Sequence, residues 1–182
     1  MKKIITSLIY ILFIINQSFA DDRKDELNKL FKELKIKNSI VTFEIEKKIW
    51  KIWSTHPEKN DLTSLLAKGS NLVNQNKFYE AEALFTKVIK LDPNWAEAWN
   101  KRATVFYLLG EFQKSQNDID KVLELEDRHF GALSGQGLVN IQLKNYEKAI
   151  MSYEKVQEIY PSMKSPQIMI KEIERLIKKQ SI

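Results

Sequence analysis

The chain has 182 residues, of which 43% are hydrophobic and 29% charged, the composition of a folded protein and not of a disordered one. It contains no cysteine, which excludes disulfides, thiolate nucleophiles, Cys-ligated zinc and a lipid-modified N-terminal Cys. The formal charge of +5 comes from 29 basic and 24 acidic residues spread along the chain, so no nucleic-acid footprint stands out. Five Gly and four Pro are too few for many tight turns and point to long helices.

The chain opens with Lys2 and Lys3, an apolar run over 4–15, and then "NQSFA" with small residues at Ser18 and Ala20. A basic start, an apolar stretch shorter than a membrane span and a small-residue end predict a secretory signal over 1–20. The charged segment beginning at Asp21 follows, as expected after a cleavage site. The expectation is an exported, periplasmic protein with no stable membrane insertion once the signal is removed; a retained N-terminal anchor is the alternative.

Leu27, Leu30, Phe31 and Leu34 form one apolar stripe, and Ile45, Ile49, Ile52 and Trp53 form a second after a break near 37–39. Two helices that each show one apolar face predict a hairpin, ended by Pro57 after His56. We take 21–61 as an N-terminal helical cap and expect it to lie on the first of the units that follow.

From residue 62 the chain repeats itself. "NKFYEAEALFTKVIKLDP" aligns with "GEFQKSQNDIDKVLELED" after a shift of 34, and with "KNYEKAIMSYEKVQEIYP" after another. Leu65, Trp99 and Leu133 fall in one column, and the small residues Gly69, Ala103 and Gly137 in another. The aromatics Phe78, Phe112 and Tyr146 share a third, followed by Ala81, Ser115 and Ala149. Small residues let the two helices of a unit approach, while large ones fill the space between units. One such unit cannot bury its apolar face alone, so the units must stack. The units are 62–95, 96–129 and 130–163. After them, Ser165 suits an N-cap and Pro166 a first helical position, and Met169, Ile173, Leu176 and Ile177 give 164–182 an apolar face. That segment reads as a capping helix.

A period of 34 with these columns and a closing Pro at Pro93 and Pro161 resembles the tetratricopeptide repeat family. Asp127 in place of the third Pro, Ser115 in an Ala column and Asn140 in an apolar column are departures in single positions. The resemblance implies an all-α, right-handed solenoid of three helix–turn–helix units. The signal, "IEKKIWKIW" and "WNKRATVFYLLGEF" together resemble small exported repeat proteins of Gram-negative, alphaproteobacterial-type bacteria.

Chemistry is hard to place on this chain. His56 and His129 are far apart and have no nearby partners at the spacing of a metal site or a catalytic base. They read as a helix-end residue and an inter-unit turn residue. "GALSGQG" over 131–137 lacks the Lys-Ser/Thr end and the preceding strand of a phosphate loop. No enzyme, cofactor or metal is expected. Arg102 with Asp118 or Asp120 is expected to form an ion pair inside the middle unit, and the four Trp read mostly as packing residues, Trp99 among the core.

What the resemblance implies for function is a groove lined by the first helix of each unit, holding a protein or peptide segment. It assigns Thr63, Leu66, Ser70 and Asn74 to that wall in the first unit. In the second it assigns Asn100, Lys101, Thr104 and Tyr107, and in the third Ser134, Leu138, Ile141 and Gln142. The basic cluster with which some repeat proteins clamp a C-terminal carboxylate is not reproduced, Lys101 being the lone cation in this set. A structural spacer that stacks through its end caps is the competing expectation.

Overall fold

The computed structural model describes residues 22–35 and 39–180, and no strand occurs among them. The helices are α1 (22–34), α2 (Ser39–Ser54), α3 (Asn60–Asn74), α4 (Phe78–Leu91), α5 (Ala96–Leu108), α6 (Phe112–Leu125), α7 (Phe130–Gln142), α8 (Tyr146–Ile159) and α9 (Ser165–Gln180). The signal predicted over 1–20 lies outside the described residues. Helices α3–α8 form three hairpins, each packed on the next, and α9 packs on α8.

The small columns are where the helices of a unit meet. A Cβ added at Gly69 would sit 2.4 Å from Phe85, and one at Gly137 would sit 2.6 Å from Tyr153. Real Cβ contacts are never that short, so glycine permits this approach. In the second unit the column is filled by Ala103, whose carbonyl accepts a hydrogen bond of 2.8 Å from the Ser115 hydroxyl. The serine that departs from the family's alanine is thereby satisfied.

Each hairpin turns through the same device. Asn76, Gly110 and Lys144, spaced 34 apart, all have positive φ, at 58°, 76° and 60°. The N–H of the next residue bonds back to Leu72, Phe106 and Asn140, and their own N–H groups to Val73, Tyr107 and Ile141. These are paired six-to-one and five-to-two closures that satisfy the last carbonyls of the first helix. Sequence identity at the left-handed position varies, yet its geometry does not. Helix α9 starts at Ser165, one residue before the expected start, with the Ile168 N–H bonded to the Lys164 carbonyl.

The N-terminal hairpin corrects one expectation. It touches the first unit only at its end, through Trp53 and His56, while its buried stripe of Leu27, Leu30, Phe31, Leu34, Ile45, Ile49 and Trp53 joins one core with Phe130, Leu133, Val156 and Tyr160 of the third. Helix α2 runs back along the edge formed by the inter-unit turns. Thr42 Oγ1 lies 2.9 Å from Ser162 Oγ in the turn that ends the third unit, and His56 Nε2 lies 2.8 Å from Asp92 Oδ2 at the end of the first. Three residues in one column, Asp92, Glu126 and Tyr160, each tie a turn to the hairpin. Asp92 takes His56, Glu126 holds the Arg128 whose guanidinium reaches Asn28 at 2.9 Å, and the Tyr160 hydroxyl donates to Glu46 at 3.1 Å. The apolar match explains the placement: Phe130 and Tyr160 of the third unit pack together and against the stripe through Trp53.

Candidate partner-binding groove

Helices α3, α5 and α7 neighbour one another in sequence of units, and α2 crosses the N-terminal ends of α5 and α7. The Trp53 ring stacks on His129 with centroids 3.9 Å apart and planes 9° from parallel. Trp50 fills the place a side chain at Gly131 would take, since a Cβ there would be 2.5 Å from its ring. The indole N–H of Trp95 donates to the Trp53 carbonyl at 2.8 Å. The lower half of the wall is therefore occupied by the chain itself.

At the centre of this contact lies a buried polar cluster that sequence reasoning missed. His129 Nδ1 accepts from the Ala132 N–H at 3.0 Å and so caps α7. With Nδ1 an acceptor, the ring proton sits on Nε2, which donates to Glu97 Oε2 at 3.0 Å. Both side chains are fully buried. Burial pushes the Glu97 carboxyl up, but the hydrogen bond from His129 and the Lys101 ammonium at 3.1 Å overcome it and hold the group below its ordinary value. His56, just before α3, repeats part of the pattern: its Nδ1 accepts from the Glu58 and Lys59 N–H groups. No local spacing signals these clusters, because Glu97 stands at the start of α5, His129 caps α7 and Trp53 belongs to α2.

The residues assigned to the wall divide into engaged and open. Leu66 is 2% exposed and belongs to the core with Leu62 and Phe85, so it is not a wall residue. Asn100 is also buried, because its amide turns one helical turn back to donate to Glu97 at 3.0 Å. Lys101 is held by Glu97 and lies over the Trp50 ring at 5.9 Å. Thr63 accepts from the His56 N–H at 2.8 Å. The hydroxyls of Ser70, Thr104 and Ser134 bond to the carbonyls four residues back.

What remains open lies on the C-terminal halves of the three helices. Asn74, Thr104, Leu138 and Gln142 are exposed, while Tyr107 and Ile141 are half-buried. Tyr107 leans on Phe112 at 5.6 Å, and Ile141 packs near Tyr153 and Ile173. Leu108 was missed: it is 47% exposed and stands in the column of Asn74 and Gln142, and that register was the available signal.

Arg102 is not a groove residue. Its guanidinium grips Asp118 in a two-pronged bond of 2.7 and 2.8 Å, donates to Thr86 and lies over Trp99, with Asp120 taking no part. Trp99 itself is half-buried, with its indole N–H on the Pro93 carbonyl, and not core as expected. Among the described residues no group of three or more His, Asp or Glu side chains could hold a metal, and no helix is long and apolar enough to cross a membrane.

Residues 66–115 and 131–163 each match the tetratricopeptide repeat. A TPR repeat-containing protein of Rhizobium etli is 40% identical over 81 residues, which span 44% of this chain and 40% of that protein. Hsp70-Hsp90 organizing protein 1 of Glycine max is 33% identical over 86 residues, 47% of this chain and 15% of the relative. The chain thus spans less than half the length of these curated relatives. Among solved structures, the first TPR of Spaghetti (RPAP3) bound to the HSP90 peptide SRMEEVD is 25% identical, with a TM-score of 0.62, covering 64% of this chain and 93% of that one. The Sgt2 TPR domain of Aspergillus fumigatus is 18% identical with a TM-score of 0.64, over 68% of this chain and 83% of that one, and shows the fold alone.

Proposed function

We propose that this tetratricopeptide-repeat solenoid is a non-catalytic protein-binding module that holds a segment of a partner chain against the C-terminal halves of α3, α5 and α7. One observation carries the reading: Asn74, Thr104, Tyr107, Leu108, Leu138 and Gln142 form an open strip beside a lower wall that α2 already fills. Exposed leucines beside amides and hydroxyls suit an extended or helical segment with apolar anchors. The similarity to a TPR bound to the peptide SRMEEVD supports peptide binding as the mode. The charge does not support a strongly acidic segment on this wall, since Lys101 is neutralised by Glu97. Three units and half a wall give a small contact, which implies modest affinity.

The basic start, apolar run and small-residue end over 1–20 support export to the periplasm, where the module serves as an assembly or scaffolding factor for an envelope complex. Self-association through the end helix is the second reading, favoured by Ile168 and Leu176 on α9, which are 58% and 40% exposed. A photoreactive residue placed at Tyr107, in cells, distinguishes them, with Tyr79 on α4, 73% exposed, as the control position. The groove reading predicts a foreign partner captured from Tyr107 and not from Tyr79. Capture of a second copy of this chain, from Ile168 and not from Tyr107, would replace it with the spacer.

A further inference from the structure

The strict register lets one cleft be compared with its own counterpart 34 residues earlier. In the second unit the space between α4, α5 and α6 is closed from within. Arg102 bridges Asp118 and Thr86 and covers Phe106, and the neighbouring lysines are paired, Lys114 with Glu111 and Lys121 with Glu124.

In the third unit the interior of that closure is undone, although Glu158 keeps the place of Glu124. Arg102 is replaced by Gln136, Asp118 by Ser152, and Phe106 by Asn140. The shorter side chains leave an open cleft of about 370 Å³ between α6, α7 and α8, within the range of small-ligand sites. Its floor is polar and ordered. Ser152 and Asn140 are 3% and 5% exposed. The Ser152 hydroxyl is shared between the Lys148 carbonyl at 2.8 Å and Gln136 Oε1 at 3.0 Å, and the Gln136 amide nitrogen keeps its donors. The Asn140 amide donates to the Gln136 carbonyl at 2.9 Å and to Gln116 Oε1 at 3.3 Å.

The rim is cationic. Lys148 and Lys155 stand where Lys114 and Lys121 stand one unit earlier, but the counterpart of Glu111 is Asn145. Neither lysine makes an ion pair with another described residue. Asp120 also lines the cleft, with one oxygen engaged by the Gln116 amide at 2.7 Å, so the lysines outnumber the carboxylate. Two ammonium groups without ion-pair partners beside the free Gln136 amide form a site for an anion with several acceptor oxygens. We propose that this cleft binds a carboxylate of a peptide segment, independently of the wall formed by α3, α5 and α7.

The test is a titration of the purified protein followed by NMR of the side-chain amides of Gln136 and Asn140. Three acetylated probes are used: triglutamate with an amidated end, trialanine with a free carboxylate end, and trialanine amide. Saturable shifts with the first or the second support the site and say whether a side-chain or a terminal carboxylate is preferred. The exposed pair Lys148→Glu and Lys155→Glu is expected to weaken binding at least tenfold. The pair Gln136→Arg and Ser152→Asp, which restores the second unit's closure, is expected to abolish it. Equal response to trialanine amide, undiminished binding by the lysine variant, or shifts confined to Thr104 and Tyr107 would overturn the proposal.

Discussion

Replacing His129 with Ala removes the residue on which three separate contacts converge, one of them with the hairpin. The side chain is fully buried, stacks on Trp53, caps α7 through Ala132 and donates to Glu97. Losing a cap costs about 1 kcal/mol. Removing one partner of a buried charge-bearing pair costs about 3–5 kcal/mol, because the remaining group stays buried and undersatisfied. Asn100 and Lys101 still serve Glu97, and the losses share one site, so they do not add; the net expectation is about 3–5 kcal/mol. Equilibrium urea unfolding at neutral pH, followed by circular dichroism, measures it. With a slope of about 2 kcal/mol/M the midpoint should fall by roughly 2 M. Hydrogen exchange should show α1 and α2 losing protection before the repeats. His129→Asn, a good cap without the reach to Glu97, should recover only about 1 kcal/mol. A loss below about 1 kcal/mol with the hairpin still protected would refute the convergence.

Because the Glu97 carboxyl sits below its ordinary value of 4.5, its stabilisation is complete above that value and is lost as pH falls through the folded one. Urea midpoints should therefore drop as pH is lowered below about 4.5, and less steeply in Glu97→Gln. Gly137→Ala should destabilise by about 1–3 kcal/mol, since its Cβ would meet Tyr153 at 2.6 Å, whereas Gly135→Ala, with Ile119 at 3.6 Å, should stabilise by about 0.5–1 kcal/mol; thermal melts report both. A double-mutant cycle on Arg102 and Asp118 should give a coupling of about 1–3 kcal/mol, and a coupling near zero would remove the pair as a brace of the middle unit.

The repeats were legible because their packing is local and periodic: Gly69 needs Phe85 sixteen positions on, and Gly137 needs Tyr153 at the same distance. The residues of the wall were legible only in part. Helical spacing places Leu66 and Asn100 near the groove, but a shift of a few tens of degrees around the helix carries each into the interior, and the buried charge of Glu97 decides the second. The hairpin's seat was not legible. Its apolar stripes announce burial but not the surface buried, and nearness in sequence favoured the first unit. The decisive contacts, Trp53 on His129 and Tyr160 on Glu46, join the non-repeating hairpin to the repeats across long stretches of chain. Two out-of-pattern residues mark the seat in retrospect: Gly131, which makes room for Trp50, and His129, buried where an ordinary turn would be exposed.

The seat of the hairpin is what leaves one half of the wall filled and the other free, and the absence of native cysteine allows it to be measured cleanly. Thr42 and Ser162, with their hydroxyl oxygens 2.9 Å apart, replaced together by Cys, should form a disulfide under mild oxidation, detected by intact mass after alkylation. The account predicts near-complete closure for this pair and none for Thr42→Cys with Leu65→Cys on the first unit. Closure of the Leu65 pair in place of the Ser162 pair would contradict it.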